Sequence, residues 1–283
     1  MRSARAWLSA SAPAKRWGLL LLVTLAGATA LVRWDIAQRR ERLYTEARTA
    51  HRLLSEATAR VDAVLVTLVL TATSRGPEAM ATDAAARLPA VYPQVLAAWR
   101  RDTGRAWPDE ALRPRLEAAE QASRMLPAPA RHAVIASVDA TDAHYTVVLA
   151  GEPASFALRV DARRLVSTDE WPWPGGSPVR ATLQLAGQTI TLNAPPPGLQ
   201  LPLGLTGGFE TTQVLASASQ PFVLQVQRRT GPAEWPWLAL AAWALLCAGV
   251  DWTARRWIQE RASRWRAADQ VRLARASRLN ALG

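Results

Sequence analysis

Apolar and polar positions divide the chain into three regimes. Two apolar runs, Trp17 to Val32 and Trp235 to Val250, bracket about 200 residues of mixed pattern, and an arginine-studded stretch follows the second run to Gly283. A helix rises about 1.5 Å per residue, so crossing a hydrocarbon core of about 30 Å takes around 20 residues. Each run falls slightly short, and its flanks supply the rest. Trp17 and Trp34 end the first run and Trp235, Trp237 and Trp252 surround the second, where indole favours the headgroup region; Arg16, Arg33 and Arg255 can snorkel outward. The pattern predicts two transmembrane helices, residues 17–34 and 235–252.

Two alternatives bear on these runs. Ala28-Thr29-Ala30 is an A-x-A cleavage site behind a basic start, which would make the first run a cleaved signal peptide; the helical pattern that begins directly beyond it argues for a retained anchor. The second run could be a buried core helix, against which stand its Trp flanks. Arg255, Arg256, Arg261, Arg264 and Arg266 follow the second run, whereas only Arg228 and Arg229 lie shortly before it. The positive-inside rule then places the C-terminus, and after two crossings the N-terminus, in the cytoplasm. Around the first span the basic residues balance, so the orientation rests on the second.

Beyond the first span, Ile36, Leu43, Ala47, Ala50, Leu54, Ala57, Val61, Val64 and Leu68 step by three or four, with Arg40 out of place, and predict one long helix with a heptad-like stripe. Glu41, Glu46, Arg48, Glu56, Arg60 and Asp62 form its polar side. Such a rod either transmits motion from the first span or packs its stripe against its own domain; the spacing allows both. Ser74, Gly76 and Pro77 end it. A strand at Gln94 to Arg100 and a helix at Glu110 to Met125, interrupted by Pro114, come next. The period then becomes two: His132 to Val138, Tyr145 to Leu149, Phe156 to Val160, Val179 to Leu185 turning at Ala186-Gly187 into Ile190 and Leu192, then Phe209 to Leu215 and Phe222 to Val226. A long helix followed by about five antiparallel strands describes an α+β sensor-type domain. The tail beyond Trp252 reads as one helix, although Asp269 and Arg272 break any strict heptad.

Composition narrows the picture. The net charge of +11 is spread along the chain without an aromatic-interleaved basic fold, so it reflects membrane topology and solvated helix faces and no nucleic-acid partner is expected. The single cysteine, Cys247, lies inside the second span as an apolar filler, which excludes an intrachain disulfide or thiolate metal site. An apolar core must therefore hold the intervening domain together.

The last nine residues, Arg275-Ala276-Ser277-Arg278-Leu279-Asn280-Ala281-Leu282-Gly283, resemble the segment leading into the phosphoacceptor helix of membrane sensor histidine kinases of two-component systems, in the nitrogen-, oxygen- and dicarboxylate-sensing branch, where a His-Glu-Leu-Asn-Gln-Pro-type box follows shortly. The resemblance implies a cytoplasmic N-terminus at 1–16, spans at 17–34 and 235–252, an extracytoplasmic Cache or PAS-like sensor at 35–234 and a cytoplasmic signalling helix at 253–283 that leads to a phosphoacceptor domain missing from this chain. It further implies a multi-pass homodimer in a bacterial inner membrane, with the sensor periplasmic and both termini cytoplasmic. A small extracytoplasmic ligand would control ATP-dependent autophosphorylation on histidine and transfer to a response regulator. This chain ends before the box, so it carries no phosphoacceptor, catalytic or metal residue, and ATP and magnesium are expected only for the missing core. Chemoreceptors and membrane-bound diguanylate cyclases share the architecture, which leaves a non-enzymatic sensor or adaptor and a cyclase input module as alternatives.

Individual motifs add little chemistry. His51, His132 and His144 are expected outside the cytoplasm and are followed by Arg52, Ala133 and Tyr145 rather than glutamate, so they read as ordinary histidines. Asp102-Thr103-Gly104 matches an aspartic-protease triplet but reads more simply as a hairpin turn. Gly175-Gly176 and Gly207-Gly208 lack the spacing and lysine of a phosphate loop, and Asp161 reads as a helix N-cap. Trp171-Pro172-Trp173-Pro174 is expected to form a rigid exposed loop in preference to an aromatic pocket. Arg159, on a strand, could meet a carboxylate, though exposure is its default; the ligand-contacting residues are left unassigned.

Overall fold

The computed structural model describes the backbone of residues 4–73, 78–127, 130–195, 208–229 and 234–280, with side chains for 17–73, 85–127, 130–195, 208–229 and 234–266. Among them are helices α1 (Ala4–Thr73), α2 (Glu78–Val91), α3 (Arg113–Met125) and α4 (Trp237–Asn280), and strands β1 (Val95–Asp102), β2 (Val134–Asp139), β3 (His144–Leu149), β4 (Ala154–Asp161), β5 (Val179–Leu185), β6 (Gln188–Asn193), β7 (Gly208–Val214) and β8 (Val223–Arg229). The chain divides into two compact units, Met1–Arg39 with Ala233–Gly283, and Arg40–Pro232.

The first unit is an antiparallel helix pair. The Trp243 indole sits against Gly27, where an added Cβ would lie 2.2 Å from the ring, and its Nε1 donates to the Thr24 carbonyl at 3.1 Å. At one end Arg39 donates to Asp35 at 2.7 Å and to the Glu234 carboxylate at 3.0 Å; at the other, the Arg255 guanidinium lies 4.5 Å over the Trp17 ring. Arg39 and Trp17 are separated along the helix by about 33 Å, close to a hydrocarbon thickness. Between these polar ends the apolar side chains face outward: Leu21 is 68% exposed and Leu245 74%. Both helices are long and apolar enough to cross a membrane. The second is no buried core helix, because a soluble core would cover these leucines; Cys247 is buried in the pair.

A close-approach glycine makes this pair sensitive to one methyl group. Gly27→Ala is expected to cost about 1–2 kcal/mol by forcing the Trp243 ring aside. The check is a double-mutant cycle in bicelles: the effects of Gly27→Ala and Trp243→Ala should be strongly non-additive.

In the second unit, the α1 stripe is covered by its own domain. Leu43, Ala47, Ala50, Leu54, Ala57, Val61, Leu65 and Leu68 are buried in one core with both sheets. Leu65 takes the buried place that the sequence spacing assigns to Val64, which is only partly covered. Two positions on the supposedly polar side are also engaged: Glu46 accepts from Trp173 Nε1 at 2.8 Å, and Asp62 accepts from Gln220 Nε2 at 3.0 Å and from Ser217. Gln220 Oε1 in turn accepts from the Tyr145 hydroxyl at 2.6 Å. Burial, and secondarily the charge of Asp62, push the Tyr145 phenol well above the usual tyrosine range, so it remains a donor.

The strands form two four-stranded antiparallel sheets, ordered β1-β4-β3-β2 and β6-β5-β8-β7, rather than one sheet of about five. Alternation sorts their faces. Tyr145, Val147, Leu149, Phe156, Leu158 and Val160 of the first sheet and Val179, Ala181, Leu183, Ile190, Leu224 and Val226 of the second enter the core with α1. On the other face of the second sheet, Gln184 donates to Gln225 and Gln225 to Glu210 in a polar ladder. Pro114 does not interrupt α3; it stands in the first turn, where the missing N–H costs nothing. The helix therefore starts at Arg113, after Asp109 Oδ1 accepts from the Leu112 N–H at 3.1 Å. The turn after Asp102 has Gly104 at φ 83° and an Arg105 N–H donating to the Asp102 carbonyl. It is no hairpin, since β1 pairs with β4 rather than with the next strand.

Candidate ligand-binding site

The second face of the first sheet carries the chemistry. Register places residues from four strands in rows across it. Arg101 and Ser155 form one row; Trp99, Ala157, Val148 and Val134 form the next; Ala97, Arg159, Thr146 and Ser137 form the third. The rows change from ionic to apolar to polar along the strands.

α3 closes the first two rows. Leu116 and Ala119 pack with Trp107 on Val148 and Ala157. Glu120, its side chain 4% exposed, accepts from Ser155 Oγ at 2.7 Å, Arg124 Nη2 at 2.8 Å and Trp107 Nε1 at 3.1 Å, and pairs with Arg101. Burial raises its carboxyl pKa, but the hydrogen bonds of Ser155 and Arg124 and the charge of Arg101 outweigh that, and the net result lies below the ordinary value. All four donors converge on one carboxylate, so this cluster is an anchor for α3.

The third row lies beyond the start of α3 and opens into a cavity of about 490 Å³, lined among others by Arg115, Ser137, Asp139, His144, Thr146 and Arg159. That volume is in the range of small-molecule sites, about 300–1,000 Å³. Arg159 Nη2 lies 3.3 Å from His144 Nδ1. Because a guanidinium only donates, Nδ1 is the acceptor in this contact. Arg115 and Arg159 with Asp109 and Asp139 give the walls charges of both signs, which suits a small polar solute. Among the described residues, no group of three or more His, Cys, Asp or Glu is placed to hold a metal ion.

Arg159 and His144 are thus brought together on one face. His51 and His132 are elsewhere, with ring nitrogens 2.8 Å from the Val214 carbonyl and 2.9 Å from the Ala130 carbonyl. Asp161 caps the short 3-10 helix Ala162–Arg164 by accepting from the Arg163 N–H at 2.9 Å. Gly176 sits in a turn at φ 82°, and Gly207 lies outside the described residues. The Trp-Pro-Trp-Pro stretch is not an exposed loop: Trp173 is 3% exposed and held by Glu46. Sequence reading missed Arg115, Ser137 and Thr146 as cavity residues. Ser137 and Thr146 carried one local signal, a polar side chain at alternate strand positions, and only pairing turns such positions into a common row; Arg115 enters the cavity from α3.

The molecule is thus a mixed helix and sheet protein with two candidate membrane-spanning helices and two antiparallel sheets. Compared with known proteins, the chain matches no family model, no curated protein and no solved structure.

Proposed function

We propose that the chain is the signal-input and transmembrane portion of a membrane sensor histidine kinase, with its 40–232 unit on the extracytoplasmic side as a Cache or PAS-like sensor for a small polar ligand. The observation that carries this is the helix pair, with outward-facing exposed apolar side chains among its described residues and ended by Arg39-Asp35-Glu234 on one side and Trp17-Arg255 on the other. Residues 40–232 lie between the two candidate spans in the sequence, so a double crossing keeps them on one side of a bilayer. The cluster of arginines from Arg255 to Arg266 assigns the opposite side to the cytoplasm.

In this reading the cavity over β2, β3 and β4 receives the ligand, which acts by binding one of two conformers more tightly. Signal passes through the span pair into α4, whose backbone is helical to Asn280. The side chains of the motif that resembles the kinase segment lie outside the described residues. By resemblance, the chain works as a homodimer in a bacterial inner membrane and drives ATP- and magnesium-dependent phosphorylation of a histidine, then of a response regulator, in a downstream core.

Two tests separate the coarse and fine parts of the reading. In a Cys247→Ala background, Asp142→Cys and Arg264→Cys, both exposed, should react with a membrane-impermeant maleimide from opposite sides of sealed vesicles. Labelling from the same side overturns the receptor topology. Coding sequence beyond codon 283 should contain an in-frame His-Glu box; a native stop codon there replaces the kinase with a non-enzymatic adaptor, and a Gly-Gly-Asp/Glu-Glu-Phe run with a diguanylate cyclase.

A further inference from the structure

A second cavity, sharing no lining residue with the first, lies beside the two neighbouring tryptophans. It measures about 160 Å³, and its apolar walls are Leu54 of α1, Val166, Trp171, Trp173 and Leu192. An apolar cavity of about 150 Å³ holds one benzene molecule, so the space fits a single six-membered ring. The indoles of Trp171 and Trp173 meet edge to face, centroids 5.3 Å apart at 82°. They form a corner offering both a ring face and a ring edge, the two geometries aromatic groups prefer.

The corner is built before any ligand arrives. Trp173 is fixed by its hydrogen bond to Glu46, and the turn Ala162–Arg164, which supplies two other lining residues, by the Asp161 cap. Arg163 also lines the cavity and is exposed, so it stands where the cavity meets solvent. Its Nε donates to the Thr191 carbonyl at 3.3 Å, which orients the guanidinium. The nearby Asp161 carboxylate pairs with Arg164, at 3.3 Å, rather than with the Arg163 guanidinium. One ring-sized apolar space with one oriented cation at its edge selects a flat ring bearing an anionic group.

We propose that this cavity binds a small aromatic carboxylate of benzoate size, its ring against Trp171 and Trp173 and its carboxylate on Arg163. The site couples the sheet to α1 through Leu54, and it does not depend on the kinase reading.

The test is a titration of the full chain in detergent, followed by saturation-transfer NMR, with benzoate, benzyl alcohol (the same ring without charge) and acetate (the charge without a ring). Benzoate should saturate at roughly millimolar concentration, benzyl alcohol should bind about tenfold more weakly, and acetate should not bind. Arg163→Gln should reduce benzoate to the level of benzyl alcohol. Val166→Phe, which fills the cavity, should abolish both; Thr168→Phe, at an exposed lining position, provides a second block if Val166→Phe fails to fold. Absence of saturation by benzoate overturns the proposal, as does binding that the blocking variants leave unchanged. Equal affinity for benzoate and benzyl alcohol overturns the assignment of the carboxylate to Arg163.

Discussion

Replacing Glu120 by alanine is expected to destabilise the 40–232 unit by about 3 kcal/mol, at the lower end of what removing one partner of a buried ion pair costs. The lower end applies because Arg101 and Arg124 keep side-chain exposures of 25% and 39% and can partly rehydrate. The loss combines two partly exposed guanidinium groups left without their carboxylate with an orphaned Trp107 N–H in a fully buried ring. For a unit of this size it corresponds to a fall in Tm of about 6–12 °C. Thermal unfolding followed by near-ultraviolet circular dichroism measures it. A change below about 1 kcal/mol would mean that the cluster is not an anchor.

The same carboxylate sets a pH dependence whose sign follows from its depressed folded pKa. Its stabilisation is complete above the ordinary value of 4.5 and declines as the pH falls through the lower folded value. The wild-type chain should therefore lose stability on the acid side of 4.5 more steeply than Glu120→Ala, which has already lost that contribution. The difference between the two unfolding curves isolates Glu120 from the remaining carboxylates.

Leu65→Ala is expected to cost about 3 kcal/mol, against about 1 kcal/mol or less for Val64→Ala. Leu65 is 0% exposed in the core shared by α1 and both sheets, so its removal leaves a cavity, whereas Val64 is only partly covered. Because the covering atoms belong to the same chain, the unfolding midpoint of either variant should shift equally at all protein concentrations. A shift that depends on concentration would indicate that a second chain covers this stripe. The measurement thus decides between the two roles that heptad-like spacing allows, a seam between chains or a helix packed on its own domain.

Much of the secondary structure could be read locally. Strands β2 to β8 fall within three residues of the period-two runs, because alternation against a covered face is written into each segment. The α1 stripe drifted by one position at Val64 because a valine and a leucine side by side both satisfy the spacing, and only packing chooses between them. α2, with Pro89 inside it, gave no periodic signal strong enough to predict. The Trp-Pro-Trp-Pro stretch was misread for a related reason: its prolines mark a loop, but Trp173 is buried in the core with α1 and hydrogen-bonded to Glu46, more than a hundred residues earlier in the chain.

By itself the sequence determined the two apolar helices, their Trp and Arg ends, and the run of strands between them, since each depends on residues adjacent in the chain. Tertiary structure alone decided that the strands form two sheets, that β1 pairs with β4 and β5 with β8, and that α1 is covered by its own domain. Both cavities and the Glu120 anchor depend on those pairings. Antiparallel register aligns Ser137, Thr146 and Arg159 in one row, and no local pattern encodes which distant strand supplies the next residue in a row.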